Sequence, residues 1–157
     1  EGLFLKRSVL FNMIFPKTGL PEHPSFIPYD QYRKECKEIV DILSIKTPTV
    51  DVPVETLSGG NQQKVVVGKW LPFDINVLLL ADPAKGIDIG AKRDLYQYII
   101  DRVQKNNMSV ILYASDNEEL IEYCDRVLIM YEGQIVANLE GEDINEDTII
   151  ACSMRVR

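Results

Sequence analysis

The chain has 157 residues, 46% hydrophobic and 26% charged, enough for one domain with a core of its own. Its formal net charge is −7 and its basic residues are scattered, which argues against nucleic acid, because phosphate-backbone binding needs a basic patch. The dispersed Cys36, Cys124 and Cys152, the single His23 and the lack of a long apolar run argue against a disulfide frame, a metal cluster and a bilayer-spanning helix.

No basic, apolar leader is evident. The chain opens at Glu1-Gly2-Leu3-Phe4 without Met, which suggests an excised fragment or a processed product. Residues 1 to about 50 hold Pro16, Pro21, Pro24, Pro28 and Pro48. Residues 1–15 read as short helices, and the stretch after them as a loop. Tyr29 to Leu43 is predicted helical, with Tyr32, Cys36, Ile39, Val40 and Leu43 at helical spacing. Ser58 is placed to cap a helix running to about Leu71. Val77 to Ala81, ended by Asp82-Pro83, and Ser109 to Ala114 read as fully buried parallel strands. Between them, Ala91 to Gln104 fits a helix with Leu95, Tyr98, Ile99 and Val103 on one face. A helix is predicted over Asn117 to Tyr123. Val127 to Tyr131 and Gln134 to Asn138 flank Glu132-Gly133, a hairpin signal. Glu146 to Ser153 is the last predicted helix. Strands alternating with helices imply an α/β fold, its mostly parallel sheet covered on both faces.

The stretch Leu57-Ser58-Gly59-Gly60-Asn61-Gln62-Gln63-Lys64 is the most specific in the chain. Two glycines let a backbone approach a ligand closely, and a hydroxyl lies beside them. A helix starts at once, so free N–H groups and the positive dipole end meet at one spot. That describes an anion site. The same residues also describe an ordinary Gly-Gly turn with a serine cap, and local features leave both readings open.

Leu57 to Lys64 resembles the signature motif of ABC ATPases. Its Asn-Gln-Gln-Lys ending is similar to that in the second nucleotide-binding half of the ribose and galactose importers. The order that follows agrees: strand, Asp82-Pro83, Lys85 to Lys92, helix, strand, Ser115, helix, Asp125-Arg126, hairpin. The resemblance covers residues 50–150 closely and residues 1–50 more loosely. It implies a partial P-loop NTPase fold with a C-terminal hairpin. Residues 1–70 would be a helical subdomain ending in the signature helix, and residues 71–157 an α/β subdomain.

Several features of the family pattern are missing or changed. No Gly-rich loop with a Lys and a Ser or Thr is present in the chain. The family's metal-binding strand ends in Asp-Glu-Pro, and here Ala81-Asp82-Pro83 stands in its place. Ala81 has no oxygen for a metal-bound water, so no metal ligand is assigned. Asp82 occupies the position of the water-polarising carboxylate, one methylene shorter, or is a solvated strand-end carboxylate. Ser115 stands at the switch position, where many members have a histidine; serine cannot act as a proton-carrying imidazole. Asp88 matches the aspartate of the loop that crosses to the partner half, and a helix N-terminal carboxylate would look the same.

The resemblance thus implies an asymmetric pair. Ser58, Gly59, Gly60 and Asn61 would meet ATP bound by a second nucleotide-binding half, while this half's own site is degenerate. ATP and Mg²⁺ would serve the full-length protein, and the isolated chain would bind neither. Partners would be transmembrane permease subunits and, indirectly, an extracytoplasmic sugar-binding protein, with the chain peripheral on the inner face of the membrane. The competing readings are a non-transport ABC ATPase and a non-catalytic module of the same fold.

Overall fold

The computed structural model describes residues 2–18, 28–73, 75–106 and 108–154. His23 and most of the predicted loop before Tyr29 lie outside them. The chain divides into two compact units, residues 1–78 with 83–109, and residues 79–82 with 110–157.

The first unit is built on three helices, α1 (Val9–Thr18), α2 (Tyr29–Ile42) and α3 (Gly59–Gly68). Val9, Leu10, Met13 and Ile14 of α1 are buried, as are Tyr32, Cys36 and Ile39 of α2 and Val65 and Val67 of α3. In α1 and α2 the spacing of three and four residues puts each set on one helix face. Before α1 the chain is irregular, where short helices were expected. Buried Asn12 accounts for this, accepting from the Phe4 N–H at 2.8 Å and donating to the Phe4 and Ser8 carbonyls. Residues 5–10 are also laced to 50–55 by backbone bonds, including Val9 N–H to the Val52 carbonyl at 3.0 Å. Exposed Arg33 grips Asp51 through two hydrogen bonds, at 2.6 and 2.9 Å. The same unit contains α4 (Ile89–Asn106), whose Ala91, Leu95, Tyr96 and Ile99 are buried.

The second unit holds α5 (Asn117–Tyr123), a hairpin of β3 (Arg126–Tyr131) and β4 (Gln134–Glu140), and α6 (Glu146–Met154). The hairpin turns through Glu132 at φ 47° and Gly133 at φ 79°, and a two-residue turn that follows the strand twist requires both to be positive. Val127, Ile129, Leu139 and Ile149 form its buried core. Asp116 caps α5 by accepting from the Glu118 N–H at 3.0 Å.

β1 (Val77–Ala81) and β2 (Ser109–Tyr113) pair in a two-stranded sheet, and β1 contributes its first residues to one unit and its last to the other. Asn76 accepts from Ser109, and Tyr113 accepts from Asp82, so the register advances in the same direction on both strands, as in parallel pairing. The expected full burial is corrected here. Leu78 is buried, but Leu79 is 70% exposed, Ile111 62% and Tyr113 64%. Both strands alternate, with the odd-numbered residues exposed. An apolar run records what a strand can bury, not whether the same chain supplies the cover.

Candidate functional site

Ser58 stands at the N-cap position of α3 with the extended backbone such a residue adopts. Its side chain does not cap the helix, and this corrects the sequence expectation. Instead Ser58 Oγ accepts a bond from Asn61 Nδ2 at 2.8 Å. The first helical bond runs from the Gln62 N–H to the Ser58 carbonyl at 2.9 Å. The N–H groups of Gly59, Gly60 and Asn61 therefore have no acceptor within the helix. They lie at its positive dipole end, beside an exposed hydroxyl, and this arrangement suits a phosphate oxygen.

The two glycines differ in their surroundings. A Cβ built on Gly60 would fall 2.6 Å from the Gly86 carbonyl oxygen, inside contact distance. Gly60 is thus required by packing of α3 against the loop that follows Pro83. Gln63 strengthens the same contact by donating to the Pro83 carbonyl at 3.3 Å. A Cβ on Gly59 would meet nothing within 4 Å, and Gly59 has no positive φ. Among the described residues nothing in the packing asks for glycine there.

The loop against Gly60 leads to Asp88, whose Oδ1 accepts from the Ala91 N–H at 3.1 Å. Asp88 thereby caps α4. That bond, with smaller help from Lys64 and Lys46, holds its carboxyl below the usual aspartate range. The first unit thus gathers Ser58, Gly59, Gly60 and Asn61 with the loop that carries Asp88. Sequence reasoning missed the importance of Lys64. It is 3% exposed and donates to the Ser44 carbonyl at 3.0 Å, and burial lowers its pKa. No local pattern signals that contact, because Ser44 and Lys64 are twenty residues apart.

The second unit brings the other two predicted residues together. Asp82 Oδ1 accepts from the Ser115 N–H at 2.7 Å and from the Ser115 hydroxyl at 2.6 Å. Asp82 also has φ 45°, a left-handed conformation that aspartate tolerates better than most residues. Ala81 beside it offers no side-chain oxygen. Among the described residues no group of three or more His, Cys, Asp or Glu side chains is placed to hold a metal ion. In the Ala81-Asp82-Pro83 stretch Asp82 supplies the carboxylate, and its Oδ1 is taken by Ser115.

No protein-family model matches the chain. Curated relatives match nearly all of it. It is 40% identical over 156 residues to a ribose import ATP-binding protein of Rhizobium etli, covering 99% of this chain and 30% of that protein. It is 36% identical over 149 residues to a putative ribose/galactose/methyl galactoside import ATP-binding protein of Geobacillus kaustophilus, covering 95% of this chain and 29% of that protein. The chain thus spans about 30% of the length of the curated relatives it matches. Two solved structures share its fold. The ATP-binding cassette MJ0796, a dimer in a post-hydrolysis state bound to ADP and phosphate, superposes with a TM-score of 0.76 at 16% identity, over 88% of this chain and 58% of that one. The cassette MJ1267 of an ABC transporter, in its ADP conformation, gives 0.68 at 21% identity, over 96% and 60%. Over nearly its whole length the chain is thus similar, at 36–40% identity, to one part of the ribose import ATP-binding proteins, and it shares the fold of ABC ATP-binding cassettes.

Proposed function

We propose that the chain is a segment of the ATPase subunit of an ABC sugar importer, and that it presents Ser58, Gly59 and Gly60 to ATP held by a partner nucleotide-binding half. In the full-length protein, ATP binding and hydrolysis with Mg²⁺ would drive sugar uptake through permease subunits at the inner face of the membrane. The names of the relatives support the transport reading. The observation that carries the in-trans reading is the uncapped start of α3. Its serine leaves the helix N–H groups unspent, and a side chain on Gly59 would meet no described residue.

Catalysis by this segment would be electrostatic. The N–H groups of Gly59 and Gly60 and the Ser58 hydroxyl would bind phosphate oxygens where charge develops, already oriented before the nucleotide arrives. The segment's own site is proposed to be weak. Asp82 is committed to Ser115, and Ala81 has no oxygen for a metal-bound water. These two observations also favour the second reading, in which the chain alone is a non-catalytic module.

The test is Gly59→Ala in the full-length protein. A methyl group there would displace a phosphate but would meet none of the described residues. Turnover of ATP is expected to fall about 100-fold, the usual cost of losing a preorganised donor to a developing anion. The thermal midpoint should not fall. Unchanged turnover would sink the proposal, because a phosphate held against position 59 could not tolerate the added methyl group.

A further inference from the structure

Asn61 is held at both ends of its side-chain amide. Its Oδ1 accepts from the Lys46 backbone N–H at 2.9 Å, and its Nδ2 donates to Ser58 Oγ at 2.8 Å. A backbone N–H can only donate, so the amide has one permitted orientation, with oxygen to Lys46 and nitrogen to Ser58. The consequence falls on Ser58. An amide N–H₂ offers no lone pair, so the serine proton cannot be spent on Asn61 and is directed away from it.

The Lys46 N–H is itself fixed in place. The turn after α2 passes through Ser44 at φ 48°, and the Ile45 N–H returns to the Val40 carbonyl at 2.8 Å. Buried Lys64 donates to the Ser44 carbonyl at 3.0 Å, which places an ammonium at the negative end of α2. Asn61 and Lys64 are three residues apart on α3, so one face of that helix grips the turn at two points. The start of α3 is thereby tied to the end of α2 by side chain, not only by packing.

We propose that Asn61 is a positioning residue. It occupies the acceptor side of Ser58 Oγ, so that the hydroxyl is left as a donor to a phosphate oxygen, and the turn at Lys46 anchors it. Asn61 thus acts through Ser58 and does not need to touch the nucleotide. The proposal rests on the reading that Ser58 meets ATP.

The experiment is a double-mutant cycle on ATP turnover by the full-length protein, with kcat and KM measured separately. Ser58→Ala should lower kcat about 100-fold, as loss of an oriented donor does. Asn61→Ala should lower it about tenfold, because the hydroxyl is then free to turn away. On the Ser58→Ala background, Asn61→Ala should cost nothing more, since residues that act as one unit are not additive. Asn61→Asp is the second variant. It keeps an acceptor for the Lys46 N–H and so holds the turn, but it has no N–H to give and would draw the Ser58 proton to itself. It should lower kcat at least as much as Asn61→Ala. Full turnover in Asn61→Asp would overturn the proposal, as would an Asn61→Ala cost that is equal with and without Ser58. Wild-type turnover in Ser58→Ala would instead sink the underlying reading that this serine meets ATP.

Discussion

The start of α3 and the end of β1 are both exposed polar corners, yet they use their hydrogen-bonding groups in opposite ways. At Ser58 the acceptor is occupied by Asn61, while the hydroxyl proton and three backbone N–H groups are left without an acceptor in the helix. At Asp82 one carboxylate oxygen takes both the N–H and the hydroxyl of Ser115, and the backbone holds a left-handed φ of 45° to do so. The second corner is accounted for by contacts within its own unit. The first has donors without an acceptor in the helix, and the proposed function gives them an anion from outside the chain. A polar residue at a motif position is therefore weighed best by what its neighbours have already taken from it.

Three further measurements would break or sharpen that comparison. The largest effect is expected at Gly60, where an added methyl collides with the Gly86 carbonyl. Gly60→Ala should destabilise the chain by about 1–3 kcal/mol, as overpacking does, whereas Gly59→Ala should be neutral or stabilise it by up to about 1 kcal/mol, because glycine is a poor helix residue. Chemical denaturation of the two variants checks this. Equal losses would mean that both glycines serve packing, and the outward-facing role of Gly59 would lose its support.

The next effect is at the closed corner. Ser115→Ala removes one of the two bonds to Asp82 and should cost about 1 kcal/mol, the ordinary net worth of such a bond. Asp82→Ala should cost more, since it removes both and leaves alanine in a left-handed conformation it tolerates less well. If Ser115→Ala left the unfolding midpoint unchanged, Asp82 would not be committed as described.

The smallest effect concerns Asp88. Its folded pKa lies below the ordinary value, mainly because the Ala91 N–H donates to the carboxylate. The charged form is thus favoured by folding. That stabilisation is fully present above the ordinary aspartate pKa and is lost as pH falls through the depressed one. Asp88→Asn keeps the capping oxygen and removes the charge. The stability difference between the two chains should be visible at neutral pH, should close in acid, and should shrink with added salt because the group is exposed. A difference that persists in acid would mean that shape, not charge, holds the start of α4.

Local elements were legible to the extent that their signals are local. The hairpin over 126–140 follows from alternating strands around Glu132-Gly133, where positive φ is required at both positions. Helix α2 follows from Tyr32, Cys36 and Ile39, which recur at helical spacing and are all buried. The strands at 77–81 and 109–113 were also legible as strands, but their burial was not. The odd-numbered residues of each strand are exposed, and no periodicity records what covers a face. Ser58 was legible as a motif residue, but its hydrogen bond was not.

Composition, turn chemistry and the order of elements, all set by neighbours in the chain, were enough to determine an α/β fold and to mark Leu57 to Lys64 as its most specific segment. Only the tertiary structure decided what those residues do to one another. It showed that Asn61 and Lys64 reach back to the turn after α2, that Gly60 rests on Gly86, and that Ser115 closes on Asp82. These contacts join residues fifteen to thirty-three positions apart, or glycines whose only signature is the space around them. Hydrogen bonding is directional and depends on distances of a few tenths of an ångström, and chain order does not specify such distances.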